Sequence, residues 1–228
     1  MKIFSKDTLY FLQEVHQQNS KEWFGDNKDW YNEALITPLK NFVLFLSETM
    51  SGIDGEFELM PGINKTISRI NRDTRFSKDK SLYKDRMWVT FKKAGKDKTD
   101  YPAYFFEISP YSFRYGMGFF SASSGSMKSL RALMQKKEKQ FGKIVSAIEK
   151  KGIFQVEGEI YKKNMFCDRP SELQKWYNRK NIYLVYNGEN VGELFQEDFM
   201  EHIKEDFISL TDLYLFFVEA MTESTQGI

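Results

Sequence analysis

The hydrophobic pattern predicts a chain that begins and ends with helices. Apolar residues recur every three to four positions over residues 5–17, where Ser5 is the expected N-cap, and again over residues 20–50. Pro38 falls inside the second stretch, so we expect a kink there or a junction between two helices. The same spacing over residues 193–222 predicts a C-terminal helix that is deeply buried.

The middle of the chain alternates apolar and polar residues instead. This pattern predicts strands at Met87–Phe91, at Tyr104–Ile108 and at Phe113–Phe120. Turn-forming residues at 94–100 and 109–112 separate these strands. Short turns between consecutive strands are typical of an antiparallel meander, which is the sheet we expect here.

The remaining residues predict shorter elements, which complete a single α+β domain. We expect helices over 126–140 and 141–150, a short strand or hairpin arm over 154–161, a helical turn over 171–177 and a strand over 182–186. The whole chain is then one domain with a mostly antiparallel central sheet and helices at the N- and C-terminal ends. Its regions are helical (1–50), sheet-rich (65–120), helices and short strands (121–192) and the C-terminal helix (193–222).

The composition excludes several classes of protein. Of 228 residues, 41% are hydrophobic and 16% aromatic, which excludes a disordered or collagen-like chain. The single Cys167 cannot form an intrachain disulfide, and His16 and His202 have no metal-ligand spacing, so we expect neither a metal nor a cofactor. No apolar run approaches the ~20 residues that span a bilayer, and no secretory signal is visible, so we expect a cytoplasmic protein with no membrane partner.

The net charge of +1 hides blocks of opposite sign. Residues 1–64 carry a net −5 and residues 181–228 a net −9. Residues 65–98, with 12 basic and 4 acidic side chains, carry a net +8, and residues 127–180 carry another +8. The neutral total therefore argues against nonspecific coating of nucleic acid but leaves room for a local anion site.

The stretch Ile67–Arg86, which we call the basic segment, contains the residues best suited to bind a ligand. Its start alternates, and as a strand it would point Arg69 away from Arg72, whereas residues 73–84 have the composition of a loop. Arginine meets phosphate or carboxylate with a planar fork, and lysine adds a mobile point charge. The predicted anion-binding residues are Arg69, Arg72, Arg75, Lys80 and Lys84, supported by Asp73, Asp79 and Tyr83.

Three functions compete for this segment. The first is a binding site, open to catalysis, for a small molecule that carries phosphate or carboxylate. The second is a structural ion-pair network inside a protein that interacts through its acidic C-terminal helix. The third is nucleic-acid binding through residues 65–98, with Tyr83 and Trp88 placed to stack a base or sugar. No acid–base pair or nucleophile stands out, so the residues assign no reaction.

The string R-I-N-R-D-T-R-F-S-K-D-K-S-L-Y-K at residues 69–84 resembles the signature of domain-of-unknown-function family 2461. Further matches are F-L-x-E-x-x-x-x-N-S-K-E-W-F at 11–24 and D-R-P-S-E-L at 168–173. The chain departs at Leu82, where the family usually has proline, and at Met117, which interrupts a typical Gly-Gly. The resemblance implies a single-domain, cytoplasmic-type protein whose defining site lies in the basic segment, and it implies no reaction.

Overall fold

A computed structural model describes residues 1–75, 78–95, 100–119, 122–163 and 165–226. The helices are α1 (Lys6–Gln18), α2 (Lys21–Asp26), α3 (Lys28–Tyr31), a π-helical turn (Asn32–Ile36), α4 (Thr37–Ile53), α5 (Ser124–Lys136), α6 (Glu138–Lys151), α7 (Ser171–Tyr177), a 3-10 helix (Val191–Phe195), α8 (Phe199–Ser209) and α9 (Thr211–Gln226). The strands are β1 (Met87–Phe91), β2 (Ala103–Ile108), β3 (Phe113–Gly118), β4 (Gln155–Glu157) and β5 (Tyr183–Gly188). Part of the predicted 94–100 turn and the predicted strand end at Phe120 lie outside the described residues.

The five strands form one antiparallel sheet in the order β1-β2-β3-β5-β4, which confirms the α+β class and the predicted meander. β4 pairs with β5 so that Gln155 lies opposite Val185. Gly116 in β3 explains the small residues there, because a Cβ at this position would lie 1.8 Å from the Leu184 carbonyl oxygen of β5. Met117, between two such glycines, does not prevent this close approach.

The chain divides into two compact units, which we describe separately. The first unit comprises Met1–Phe91, Phe105–Tyr115 and Asn187–Glu205, and the second comprises Lys92–Tyr104, Gly116–Tyr186 and Asp206–Ile228. The single independently folding domain that the sequence predicts stays a prediction.

The core of the first unit forms around α1 and α4. Ser5 is the N-cap of α1, as predicted, and the helix buries Phe11 and Val15 completely on one face. Phe42 of α4 is also fully buried and stacks on Phe106 of β2 with ring centroids 4.5 Å apart. Burial of side chains of this size contributes about 1.5–3 kcal/mol each, so these contacts fix α1 and α4 in place.

The junction predicted near Pro38 is present, but its form differs from a simple kink. The helix expected over residues 20–50 is instead α2, α3, a π-helical turn and α4. Pro38 falls in the first turn of α4, and the Thr37 amide just before it donates to the Asn32 carbonyl oxygen in the π-helical spacing, so the chain stays helical up to the proline. The wider π-helical turn directly precedes it and buries three consecutive residues, Ala34, Leu35 and Ile36.

The prediction of one continuous helix over residues 193–222 is wrong. The structure has the 3-10 helix, α8 and α9, and a break falls at Leu210. The flanking Ser209 turns its hydroxyl back to donate to the Asp206 carbonyl oxygen at 2.8 Å, a local bond that competes with helix propagation. The predicted deep burial is confirmed, since Phe207 and Tyr214 are fully buried in the second unit.

Candidate functional site

The backbone of the basic segment forms a short, irregular antiparallel pairing in the first unit. The Arg72 amide donates to the Leu82 carbonyl oxygen, and the Lys84 amide to the Ile70 carbonyl oxygen, both at 2.9 Å. Asn71 therefore lies opposite Tyr83. These bonds set Lys84 beside the start of the segment.

Strict alternation is lost along this pairing. Ile67 pairs with Val89 and Asn71 with Tyr83, so four positions on one side match six on the other. The two extra residues act as a bulge and shift the side chains out of their regular order. The predicted opposition of Arg69 and Arg72 across a regular strand stays a prediction, and the charges of both residues act on Lys84 by lowering its pKa.

Asn19, at the end of α1, holds the second half of the pairing. Its Oδ1 accepts hydrogen bonds from the amides of Leu82 at 2.6 Å and Tyr83 at 3.2 Å, and its Nδ2 donates to the Tyr83 carbonyl oxygen at 3.2 Å. The Tyr83 ring is buried and stacks on Phe24 at 4.5 Å. The Tyr83 side chain is therefore part of the packing below the segment's backbone and is not placed to stack on a ligand. Trp88 is only partly buried, so part of its ring surface is exposed.

Within residues 73–75 and 78–81, which we call the paired loop, Arg75 and Lys80 contact acceptors of the same loop. Arg75 donates from Nε and Nη2 to the two carboxylate oxygens of Asp73, at 3.0 and 2.7 Å. This bidentate contact lowers the pKa of Asp73 to about 2. Lys80 donates from Nζ to the Thr74 carbonyl oxygen at 2.7 Å. Two of the predicted anion-binding side chains thus have acceptors within the loop.

Asp79 links the paired loop to Arg72. One carboxylate oxygen accepts from the Ser81 amide at 2.9 Å, and the other lies 3.2 Å from Arg72 Nη2. These contacts, the Ser81 bond foremost, lower the pKa of Asp79. Arg72 Nε and Ser81 Oγ are buried and have no hydrogen-bond partner in the described part of the chain. Arg72 Nε is therefore an unsatisfied donor, whereas the Ser81 hydroxyl is close enough to Asp79 to contribute to the lowering of its pKa.

Arg69, Arg72 and Lys84, which we call the cation cluster, have a different electrostatic environment. Lys84 is half-buried, with Nζ 4.9 Å from the centroid of the Trp88 ring. Burial first, then the charges of Arg69 and Arg72, lower the pKa of the Lys84 ammonium group. Within residues 1–75, 78–95 and the other described ranges, no carboxylate forms an ion pair with Arg69 or Lys84.

The sequence of this chain is similar to one known protein family. A family model described as a conserved hypothetical protein, DUF2461, matches residues 7–216, which is most of the chain. The chain belongs to the DUF2461 family. The resemblance seen at residues 69–84 is thereby confirmed, and no curated protein matches the chain.

Sequence reasoning missed Asn19 and Phe24 as parts of the site of this DUF2461 member. Both lie in the N-terminal stretch that resembles the family pattern, about sixty residues before their contacts. The sequence did contain a signal for this contact. Two stretches, at residues 11–24 and 69–84, resemble the family pattern, and two such stretches are candidates to lie against each other in the fold. Arg86, also in the basic segment, is turned to carboxylates at Asp85 (3.1 Å) and Glu107 (3.7 Å).

Two general features of the described residues complete the picture. No group of three or more His, Cys, Asp or Glu side chains among them is arranged to hold a metal ion. None of the described helices of this DUF2461 member combines the length and the apolar character needed to cross a membrane.

Proposed function

We propose that this DUF2461 protein binds a small molecule carrying a phosphate or carboxylate group at the cation cluster. The observation that carries the proposal is the contrast between Lys84 and Lys80. Lys80 donates to a backbone carbonyl oxygen, whereas Lys84 is half-buried, lies over the Trp88 ring and forms no ion pair with a carboxylate in the described chain. Burial and the charges of Arg69 and Arg72 lower the pKa of Lys84, and an anion that joined these charges would reduce their repulsion.

An unsatisfied atom of the cluster supports the same ligand chemistry. Arg72 uses Nη2 for Asp79 and keeps Nε buried without a hydrogen-bond acceptor in the described chain. A buried donor without a partner costs about 1–3 kcal/mol. A phosphate or carboxylate oxygen is an acceptor that could satisfy it, which would add a hydrogen bond to the attraction between charges.

The test is a thermal-shift screen with inorganic phosphate, nucleotides, phosphorylated sugars and small carboxylates at low ionic strength. We expect at least one anion to raise the melting temperature, and Arg69→Ala and Lys84→Ala to abolish that rise. Arg75→Ala is the matched control, because Arg75 is already paired with Asp73. The proposal is contradicted if no anion raises the melting temperature, or if Arg75→Ala loses the anion-induced rise as fully as Arg69→Ala and Lys84→Ala do.

A second candidate function follows from the paired loop. Its bidentate Arg75–Asp73 contact and the Arg72–Asp79 pair are typical of an ion-pair network that orders a loop in a protein-interaction module. In that case Asp73→Ala and Arg72→Ala lower the melting temperature, and no anion changes it in the parent protein. Under the anion-binding proposal, Asp73→Ala keeps the anion-induced rise.

We place the protein, as part of this proposal, in a reducing compartment such as the cytoplasm. Cys167 is free and exposed, a state that persists where thiols stay reduced. Fractionation of cells that express the tagged protein tests this location, and recovery in an oxidising compartment contradicts it.

A further inference from the structure

A groove runs between α6 and α9 on the surface of the second unit. The two helices pack on each other through Phe141 and Phe216, whose ring centroids lie 5.2 Å apart. Beside this contact the surface holds two cavities of about 510 and 310 Å³, and both are lined by Lys143, Ile144 and Asp212. Because they share these residues, the two cavities form one groove, which we call the α6–α9 groove.

The α6–α9 groove has the length of a short helix. Its wall on α6 extends from Lys139 to Lys151, a distance of about 18 Å at roughly 1.5 Å per helical residue. The opposite wall runs antiparallel to it, from Glu219 back to Ser209. An α-helix of about 12 residues has the same length, so one such helix matches the groove from end to end.

The floor of the groove is apolar and partly open to solvent. Leu215 of α9 is 48% exposed, and Ile144 of α6 is half-buried. Ala147, about one turn further along α6, is exposed and lines the same groove. An apolar strip between two helices is the kind of surface that the apolar face of an amphipathic helix covers.

The rim of the groove on α6 carries positive charge that the described chain does not neutralise. Lys137, which immediately precedes α6, forms an ion pair with Glu219 of α9. Three lysines further along the rim form no ion pair with a described residue, namely Lys139, Lys143 and Lys151. On the opposite rim, Asp212 is exposed and forms no ion pair within the described part of the chain. The open charges at the groove are therefore mainly positive.

We propose that the α6–α9 groove binds a partner protein through an amphipathic helix with an acidic flank. The apolar residues of that helix, spaced three and four apart, cover Ile144, Ala147 and Leu215. Its carboxylates face the lysine rim, and this charge complementarity selects an acidic helix over a basic one. The groove lies in the second unit, so the proposal is independent of the anion site in the first unit.

A display selection on the full chain tests this proposal. The library contains helical peptides of about 12 residues with leucines spaced three and four apart, and both flanks vary between Glu and Lys. We expect Glu to be enriched on one flank. The selected peptide, followed by fluorescence polarisation, should bind about tenfold more weakly to Lys143→Glu and to Leu215→Glu. Lys139→Glu is a second rim variant, and circular dichroism checks that each variant is folded.

Lys150→Glu is the matched control, because Lys150 is exposed on the same helix but does not line the groove. Its affinity for the selected peptide should stay within about twofold of the parent value. If Lys150→Glu and Lys143→Glu bind the peptide equally weakly, binding follows net charge and the proposal is overturned. Selection without enrichment, or with Lys enriched on both flanks, also overturns it.

Sedimentation of the free chain distinguishes a partner protein from a second copy of the chain. A monomer whose groove variants lose the peptide supports the proposal. A dimer that Leu215→Glu dissociates shows that a second copy occupies the groove, which overturns the proposal.

Discussion

The paired loop and the cation cluster belong to one string of sequence, yet Arg75 in the first and Lys84 in the second have opposite electrostatic surroundings. In the paired loop, Arg75 is largely exposed and its guanidinium contacts a carboxylate two residues away. In the cation cluster, Lys84 is half-buried and its electrostatic neighbours are arginines. The difference teaches that a count of basic residues does not locate an anion site. What locates it is whether an acceptor lies within reach, and how far the cation is removed from water.

The largest effect should come from removing the support that both regions share. Asn19→Ala deletes three hydrogen bonds to the backbone of Leu82 and Tyr83 and leaves those groups unsatisfied. We expect a loss of about 2–3 kcal/mol in the free energy of unfolding, measured by urea denaturation. Asn19→Asp keeps the acceptor and should lose less. An unchanged unfolding midpoint in Asn19→Ala would show that the three hydrogen bonds from Asn19 to Leu82 and Tyr83 do not form.

The next prediction separates the two regions by charge alone. Lys84→Met keeps an apolar stem against Trp88 and removes the ammonium group from the cluster. We expect about a tenfold loss in phosphate affinity by calorimetry, equivalent to 1.4 kcal/mol. The stability of the anion-free protein should change little, because the relief of repulsion from Arg69 and Arg72 is offset by the loss of the ammonium contact with Trp88. Lys80→Met is the control. If both variants lose phosphate affinity equally, Lys84 is no more important for anion binding than Lys80.

A third change tests the aromatic support beneath the site. Phe24→Leu removes the ring that stacks on Tyr83 at 4.5 Å and keeps an apolar side chain. We expect a loss of about 1 kcal/mol in stability, measured by thermal unfolding, with weaker anion binding as the backbone of residues 82–84 loosens. A loss of stability without any change in binding would show that Phe24 serves the fold only.

The smallest effect on the fold belongs to the exposed pair of the paired loop. Arg75→Ala should leave the melting temperature at neutral pH and the anion affinity unchanged, because exposed pairs contribute little. The pKa of Asp73, followed by carboxyl NMR, should rise from about 2 to near its ordinary value. Since the folded-state pKa is lowered, the contribution of the pair is present above the ordinary carboxyl pKa. It is lost as the pH falls towards 2. A parent Asp73 that titrates at its ordinary value contradicts the pairing.

Local periodicity predicts much of this fold. The boundaries of β1 and the N-cap and buried face of α1 follow from the spacing of neighbouring residues, and both are confirmed. The break at Leu210 is not predictable in this way, because the apolar spacing continues through it while Ser209 bonds back to the preceding turn. Hydrophobic patterns predict which face of a helix is buried, but they do not predict where a helix is interrupted.

The candidate site shows the same limit more sharply. The residue types of the basic segment are compatible with an anion site, an ion-pair network or a nucleic-acid interface, and the sequence leaves all three open. The choice of partners depends on geometry that no local pattern contains. Two extra residues between Tyr83 and Val89 break the regular alternation of the pairing, and Asn19 contacts the segment from the end of α1.

The contact between Lys84 and Trp88 also gives the protein an intrinsic optical reporter. Of its four tryptophans, Trp176 is fully buried in the second unit, and Trp23 and Trp30 pack against Phe11. Only Trp88 has a lysine ammonium group of the cation cluster over its ring. A nearby positive charge alters indole emission, so an anion that draws Lys84 away should change the fluorescence of one residue. Events at the cluster can then be followed in real time, without a label, from the light that Trp88 emits.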